Sequence, residues 1–198
     1  MKGLGTALVT PFTENGKIDF QALGQLIEHQ VAGGTDYLVV LGTTSEVPTL
    51  THEEQNEIVT FVVKQVAGRM PLVLGIGGNS TAAVVEKIEG WKDILAEHFA
   101  AILSVTPYYN RPQQEGLYLH FCEVAKASPV PVILYNVPKR TGVNLLPETT
   151  RRIYDAHPEK IMGIKEACGN VEHFAETVAA SNGDFAVISG DDDLAYEV

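Results

Sequence analysis

Seven short apolar runs, separated by amphipathic segments, constrain the fold of this chain more than any other feature of its sequence. The runs are rich in β-branched residues and begin near Leu4, Tyr37, Leu72, Ala101, Val132, Ile161 and Phe185. The intervals between them are about thirty residues, the length of a strand followed by a helix. Because continuous apolar strands that alternate with helices are typical of parallel sheets covered on both faces, we predict an α/β protein.

Local signals support the helices between these strands. Apolar residues at helical spacing predict a helix over residues 20–31. Thr51 and Glu54 form a capping-box pattern at the start of a second apolar stripe. No linker or low-complexity stretch interrupts the alternation, so we expect one domain over residues 1–198.

Two architectures fit the alternation, a doubly wound sheet and a (β/α)8 barrel. A doubly wound dinucleotide-binding sheet should carry a glycine-rich turn after its first strand, but Pro11 and Phe12 stand there. The nearest glycine-rich match, residues 75–80, follows the third strand and ends in Ser80, so we interpret it as a tight strand-to-helix turn. Polar residues follow several strand ends, and a barrel brings such ends to one rim, so we predict the barrel.

Composition and charge exclude several classes of partner. The net charge of −11 argues against nucleic acid and anionic membranes as partners. No apolar stretch reaches the roughly 20 residues that a transmembrane helix needs, and residues 1–5 show no secretory pattern. The two cysteines form no motif and are expected to be reduced, as in a cytoplasmic protein.

The sequence gives no clear sign of a metal site. No two of the six histidines have metal-ligand spacing, and we expect them at the surface or in helices: His29, His52, His98, His120, His157 and His173. The acidic run Asp191–Asp193 favours the positive end of a following helix, with a cation site as the less favoured alternative.

Lys165 is the first candidate for chemistry, because it is a lone cation near the end of the apolar run 161–167. Burial lowers the pKa of a lysine ammonium, and a neutral amine can form a Schiff base with a ketone. Taken alone, such a lysine more often extends to solvent or pairs with a neighbour, here Glu166.

Three further segments carry groups that could act with this lysine. Residues 42–46 include three hydroxyls on a turn, which could cap a helix or bind a carboxylate. Tyr108 and Tyr109 follow one strand, where tyrosines are more often packing residues. Tyr135 ends another strand and could transfer a proton, while Arg140 in the next loop suits a carboxylate.

Together these motifs resemble the dihydrodipicolinate synthase family, within the pyruvate-dependent class I aldolases and lyases on (β/α)8 barrels. The resemblance covers essentially the whole chain, in order and at matching spacing. Its landmarks are Gly42-Thr43-Thr44, residues 105–112, Tyr135-Asn136-Val137-Pro138, Arg140-Thr141-Gly142, residues 163–167 and Ser189-Gly190-Asp191-Asp192.

The resemblance implies a role for each matching residue. It implies that Lys165 forms the imine with pyruvate and that Tyr135 is the general acid and base. It implies further that Thr43 relays protons between Tyr135 and Tyr109, with Tyr109 reaching a neighbouring subunit's site. Substrate contacts are implied for Thr44 with the pyruvate carboxylate, for Arg140 with the carboxylate of aspartate semialdehyde, and for Gly190.

The same resemblance implies a homo-oligomer, a dimer or tetramer, that uses no metal and no organic cofactor. The implied product is 4-hydroxytetrahydrodipicolinate, on the route to diaminopimelate and lysine. Ser45 stands where many relatives carry glycine and is expected to add a hydroxyl beside the carboxylate site. His52 and Asn79 match the lysine-inhibition pocket of some relatives, but the carboxylate expected in that pocket is missing, which argues against lysine feedback.

The length of the chain departs from the family pattern. We count seven strands, and the chain reaches Val198 inside the expected seventh helix, so we expect an incomplete barrel that lacks the eighth strand and the C-terminal helices. Two alternatives therefore stay open beside the synthase. One is a sister aldolase acting on sialic acid or a 2-keto-3-deoxy sugar acid, and the other is a non-catalytic partial barrel.

Overall fold

A computed structural model describes residues 2–194 of the chain. The strands within that range are β1 (Gly5–Ala7), β2 (Tyr37–Val40), β3 (Leu72–Gly75), β4 (Ala101–Val105), β5 (Val132–Asn136), β6 (Ile161–Glu166) and β7 (Ala186–Ser189). The α-helices are α1 (Phe20–Gly33), α2 (His52–Val66), α3 (Thr81–Gly90), α4 (Lys92–His98), α5 (Gln114–Ala127), α6 (Pro138–Thr141), α7 (Pro147–Ala156) and α8 (Val171–Ser181). No helix in this part of the chain is long and apolar enough to cross a membrane.

The strand positions confirm the sequence prediction closely. Five strands begin at the predicted residue, while β1 and β7 begin one residue later, at Gly5 and Ala186. The helix predicted over residues 20–31 is α1, whose N-cap Asp19 accepts a hydrogen bond from the backbone of Ala22. The helix expected after Asp191–Asp193 lies outside the described residues.

The described residues divide into two compact units. The first holds residues up to Gly75 together with Ile94–Ala100. In it β1, β2 and β3 pair in parallel, with Gly5 opposite Tyr37 and Val39 opposite Val73. The capping box is formed as predicted, since Thr51 Oγ1 accepts from the Glu54 amide and Glu54 Oε2 accepts from the Thr51 amide.

The second unit holds Ile76–Asp93 and the residues from Ala101 onward. Its strands β4, β5, β6 and β7 pair in parallel, with Val105 opposite Tyr135 and Lys165 opposite both Tyr135 and Ile188. Ser80 caps α3, in agreement with a strand-to-helix turn at residues 75–80. Helices α5, α7 and α8 pack in sequence against one another.

In each unit, neighbouring strands follow chain order. A doubly wound sheet reverses its strand order at a switch point, and neither unit contains such a reversal among its described strands. The carboxyl ends of β4, β5, β6 and β7 therefore bring successive loops to one edge of the second unit, as a (β/α) barrel requires.

Candidate active site

Lys165 lies near the carboxyl end of β6, directly opposite Tyr135 on β5. Register partners on neighbouring strands project to the same face, so the two side chains lie side by side. The Lys165 Nζ is 4.7 Å from the centroid of the Tyr135 ring. Tyr135 is buried and Lys165 is half-buried. The pairing of strands thus places an amine against a phenol at a strand end.

Burial controls the charge of this amine. Desolvation lowers the pKa of the Lys165 ammonium from its ordinary value, and the carboxylates of Asp192 and Asp191 raise it by smaller amounts. The net shift favours the neutral amine. Lys165 therefore carries more of the nucleophilic form near neutral pH than a lysine exposed to water does.

The ion pair between Lys165 and Glu166 that the sequence left open is not formed. Successive side chains along a strand point to opposite faces, so Glu166 points away from Lys165. Glu166 is 1% exposed, and its Oε1 accepts a hydrogen bond of 2.8 Å from Asn136 Nδ2. Burial raises the pKa of the Glu166 carboxyl to about 7. Lys165 consequently has no neutralising partner on its own strand.

Asn136 belongs to one of the sequence landmarks, and the structure makes it a positioning residue, a role that the sequence did not predict. Its Oδ1 accepts from the Leu145 amide at 2.9 Å, and its Nδ2 also donates to Asn144 Oδ1 at 2.7 Å. Together with the bond to Glu166, these contacts fix the end of β5 to β6 and to the loop before α7. The alternation of side chains along residues 135–136 would have predicted that Asn136 faces away from Tyr135.

Gly190 borders the lysine directly. Its amide donates to the Glu166 carbonyl at 2.7 Å, which holds the segment after β7 against β6. A Cβ at Gly190 would stand 2.8 Å from Lys165 Cε and 2.8 Å from Ala167 Cβ. The absence of a side chain therefore leaves the space that the lysine stem occupies.

The loops after β4 and β5 carry the other predicted groups of this unit. Tyr109 is 89% exposed and has a φ of +73°, and Arg111 in the same loop has a φ of +47°. Arg140 is exposed on the short helix α6, so its guanidinium faces water. Left-handed conformations at non-glycine residues are costly and cluster at binding sites, which supports a functional loop at residues 109–111.

The predicted hydroxyl turn lies in the first unit. Thr43–Ser45 form a 3₁₀ turn, in which Thr43 and Thr44 are exposed and Ser45 is buried. Leu41 and Glu46 flank this turn with φ values of +53° and +57°. Neither threonine caps α2, because Thr51 does so. Thr43 and Thr44 therefore lie at the surface, on a turn flanked by two left-handed residues.

Ser45 has a structural role rather than the expected place beside a carboxylate. Its Oγ donates to the Leu8 carbonyl at 2.6 Å, and Thr10 Oγ1 donates to the Ser45 carbonyl at 2.8 Å. These two buried bonds fix the turn against the chain that follows β1. The hydroxyl at this position thus makes a buried hydrogen bond within the protein.

The residues of the expected regulatory pocket lie in different units. His52 is exposed at the first turn of α2. Asn79 accepts a hydrogen bond through its carbonyl oxygen from Asn110 Nδ2 at 2.9 Å. A regulatory role for His52 and Asn79 stays a prediction.

Comparison with known proteins settles which family this arrangement represents. The dihydrodipicolinate synthetase family model matches residues 1–198. The chain belongs to that family. It is 50% identical over 196 residues to the 4-hydroxy-tetrahydrodipicolinate synthase of Parabacteroides distasonis, an alignment covering 99% of this chain and 65% of that protein.

Solved structures of dihydrodipicolinate synthases agree with this assignment. The chloride-inhibited enzyme of Acinetobacter baumannii, complexed with pyruvate, is 41% identical with a TM-score of 0.92. A dihydrodipicolinate synthase described as the first monomeric variant is 39% identical with a TM-score of 0.92. The alignments cover 98% of this chain and 65% and 64% of those chains, respectively.

These comparisons confirm the predicted fold class, that of the (β/α)8 barrels. The chain spans about two thirds of the length of its relatives, 65% of the Parabacteroides protein. The roles of individual site residues remain predictions, since the comparisons do not assign them.

Proposed function

We propose that the protein condenses pyruvate with L-aspartate 4-semialdehyde through a Schiff base on Lys165, as a 4-hydroxy-tetrahydrodipicolinate synthase. The observation that carries this proposal is the half-buried lysine of β6, with its lowered pKa and its Nζ 4.7 Å from the Tyr135 ring centroid. Membership of the dihydrodipicolinate synthetase family supports the choice of reaction.

In the proposed first stage, the neutral Lys165 amine attacks the pyruvate ketone and forms a carbinolamine. Tyr135 supplies a proton to the departing hydroxyl, so that water leaves and a protonated imine remains. The positive imine nitrogen draws electrons from the methyl carbon, which loses a proton and gives an enamine. Proximity of the phenol to the amine is what this stage needs, and the strand register supports it.

In the second stage, the enamine carbon attacks the aldehyde carbon and forms the new carbon–carbon bond, while the aldehyde oxygen takes a proton. The amino group of the second substrate then attacks the imine carbon, closes the ring and displaces the Lys165 nitrogen. The Lys165 amine is regenerated, and the reaction needs no oxidant or reductant. We assign the carboxylate of the second substrate to Arg140, whose exposed guanidinium suits planar carboxylate recognition.

We assign binding of the pyruvate carboxylate to Thr44. We assign a proton relay to Thr43 and Tyr109. Exposure of both threonines on the 3₁₀ turn supports binding from solvent. Gly190 is proposed as a substrate contact because its missing side chain leaves space beside Lys165.

We propose a homo-oligomer in the cytoplasm. The 89% exposure of Tyr109, on a loop with left-handed residues, supports insertion of this phenol into a neighbouring subunit. The acidic net charge of −11 supports small-molecule substrates and argues against nucleic acid or membrane as partners.

A substrate assay tests the reaction and separates it from the two alternatives. Purified protein is supplied with pyruvate plus aspartate semialdehyde, and separately with sialic acid or a 2-keto-3-deoxy sugar acid. We expect condensation in the first assay and no cleavage in the second. Cleavage of a sugar acid without condensation would identify a sister aldolase. No turnover by a cooperatively melting protein would identify a non-catalytic partial barrel.

A further inference from the structure

A second cluster of reactive groups lies on the face of β6 opposite to Lys165. It consists of Glu166 on the strand, Cys168 just after it, and His173 in the first turn of α8. One ligand atom from each of the three residues lies within 4.8 Å of the other two. Glu166 is 1% exposed, His173 is 9% exposed and Cys168 is half-buried, so the groups are largely removed from water.

Two atoms of this cluster lack hydrogen bonds. Glu166 Oε2 and His173 Nε2 are both buried and have no hydrogen-bond partner among the described residues. They lie 3.4 Å apart, within the distance of an ion pair, but their geometry is not that of a hydrogen bond. Leaving a buried polar atom without a partner costs about 1–3 kcal/mol, so two such atoms facing each other call for an explanation.

The separation of these atoms fits a shared metal ion. In a tetrahedral zinc site, bonds of about 2.0–2.1 Å to nitrogen and oxygen set those two ligand atoms roughly 3.4 Å apart. The observed distance between Glu166 Oε2 and His173 Nε2 is 3.4 Å. A thiolate, an imidazole and a carboxylate are also a donor set that zinc accepts.

Neighbouring residues hold all three residues of the cluster in place. Asn136 Nδ2 donates to Glu166 Oε1 at 2.8 Å, which leaves Oε2 directed at the histidine. Asn170 caps α8 through its Oδ1, which accepts from the His173 amide at 3.0 Å. Cys168 Sγ lies 3.5 Å from the Asn170 carbonyl oxygen, so the thiol is kept near the helix start. Such supporting contacts orient metal ligands in proteins.

We propose that Glu166, Cys168 and His173 form a binding site for one divalent zinc-like cation. The three residues supply three ligands, and binding displaces the thiol proton of Cys168 to solvent. A small cavity lined by Glu166, Cys168, Asn170 and Asp191, among others, adjoins the cluster. The site lies behind the strand that carries Lys165, so it does not take part in the proposed imine chemistry.

Spectroscopic titration with Co²⁺, followed by competition with Zn²⁺, tests the proposal on the purified protein. We expect one Co²⁺ per chain, with the visible bands of tetrahedral cobalt and a near-ultraviolet thiolate-to-cobalt charge-transfer band. Zn²⁺ should remove both signals by displacing the cobalt. A folded protein that gives no charge-transfer band overturns the proposal and leaves the 3.4 Å approach of Glu166 to His173 as a contact without a metal.

Two substitutions and two matched controls locate the site. Cys168→Ser and His173→Gln should each weaken Zn²⁺ binding by about 100-fold or more, since they remove a direct ligand and not only an outer-shell partner. Cys122→Ser and His120→Gln alter another free cysteine and another buried histidine, and both should bind Zn²⁺ as the original protein does. Equal affinity in Cys168→Ser and Cys122→Ser would refute the site, whatever the outcome for Lys165.

Discussion

Tyr135 and Lys165 are register partners on the parallel strands β5 and β6, and this pairing sets the lysine Nζ 4.7 Å from the centre of the phenol ring. The relationship depends on backbone hydrogen bonds and not on a flexible loop, so the two groups are held together before any substrate arrives. Preorganisation of this kind reduces the entropy that a reaction must lose to align its groups.

Tyr135→Phe removes the phenol hydroxyl and keeps the ring, so it tests the role of the hydroxyl apart from the packing of the ring. The ring remains against Lys165, so the fold and the lysine environment should be kept. Because the hydroxyl is proposed to transfer protons, we expect kcat to fall by about 10²- to 10⁴-fold. Steady-state kinetics check this, with Tyr154→Phe on α7 as the control. Equal rates in the two variants would remove Tyr135 from the proton-transfer steps.

Gly190→Ala should disturb Lys165 without removing any functional group. The added methyl would stand 2.8 Å from Lys165 Cε, so the lysine stem has to move. Misplacement of a reacting group by about 1 Å can cost about 100-fold in rate, and we expect a loss of that order in imine formation.

Rapid-mixing measurements of pyruvate imine formation check the effect of Gly190→Ala. Gly90→Ala on α3 is the matched control, because a methyl there meets nothing within 4 Å. An unchanged rate in Gly190→Ala would mean that the lysine does not need the space beside this glycine.

Ser45→Ala should lower stability more than it lowers pyruvate affinity. The substitution removes the buried hydrogen bond from Ser45 Oγ to the Leu8 carbonyl, and we expect a loss of about 1–3 kcal/mol in the free energy of unfolding. Thr49→Ala removes an exposed hydroxyl-to-carbonyl bond and should change that free energy by less than about 0.5 kcal/mol. Urea denaturation compares the two variants, and equal midpoints would contradict the structural role of Ser45.

Much of this arrangement could be predicted from the sequence, and the reasons are physical. Strand starts such as Ile161 follow from local apolar runs, and the cap at Thr51 follows from two residues three positions apart. Lys165 could be identified because a charge in an apolar run is unusual. Tyr135 could be identified as a phenol at a strand end, but its role beside Lys165 came from the family resemblance, since strand register joins residues thirty positions apart in sequence.

Other features depend on contacts that no local pattern reports. The buried hydrogen bond of Ser45 can be predicted only when the position of its acceptor, the carbonyl of Leu8, 37 residues away in the chain, is known. The grouping of Glu166, Cys168 and His173 mixes three residue types, so a search for paired histidines does not find it. The network around Asn136 likewise becomes visible only when β5, β6 and the loop before α7 are placed together.

The buried His120 predicts a loss of stability in acid. Burial lowers its pKa from 6.5 to about 4, and its Nδ1 lies 2.8 Å from Thr81 Oγ1. Below about pH 6.5 the unfolded chain gains a proton that the folded protein does not, so the free energy of unfolding falls as pH drops. The loss is complete below about pH 4 and amounts to about 3 kcal/mol.

Urea denaturation between pH 7 and pH 4 measures this contribution. His120→Gln should flatten that part of the pH profile, because it removes the titrating group. Identical slopes in the original protein and in His120→Gln would contradict a neutral, buried His120.

Reduction with borohydride in the presence of pyruvate, followed by peptide mass mapping, tests the central claim most directly. Lys87 serves as an internal control, because burial lowers its pKa too but it lies on α3, 4.9 Å from the Trp91 ring centroid. We predict one pyruvyl adduct per chain, on Lys165, and none in Lys165→Arg. An adduct on Lys87 or on another lysine, or no adduct on a folded protein, would contradict the account.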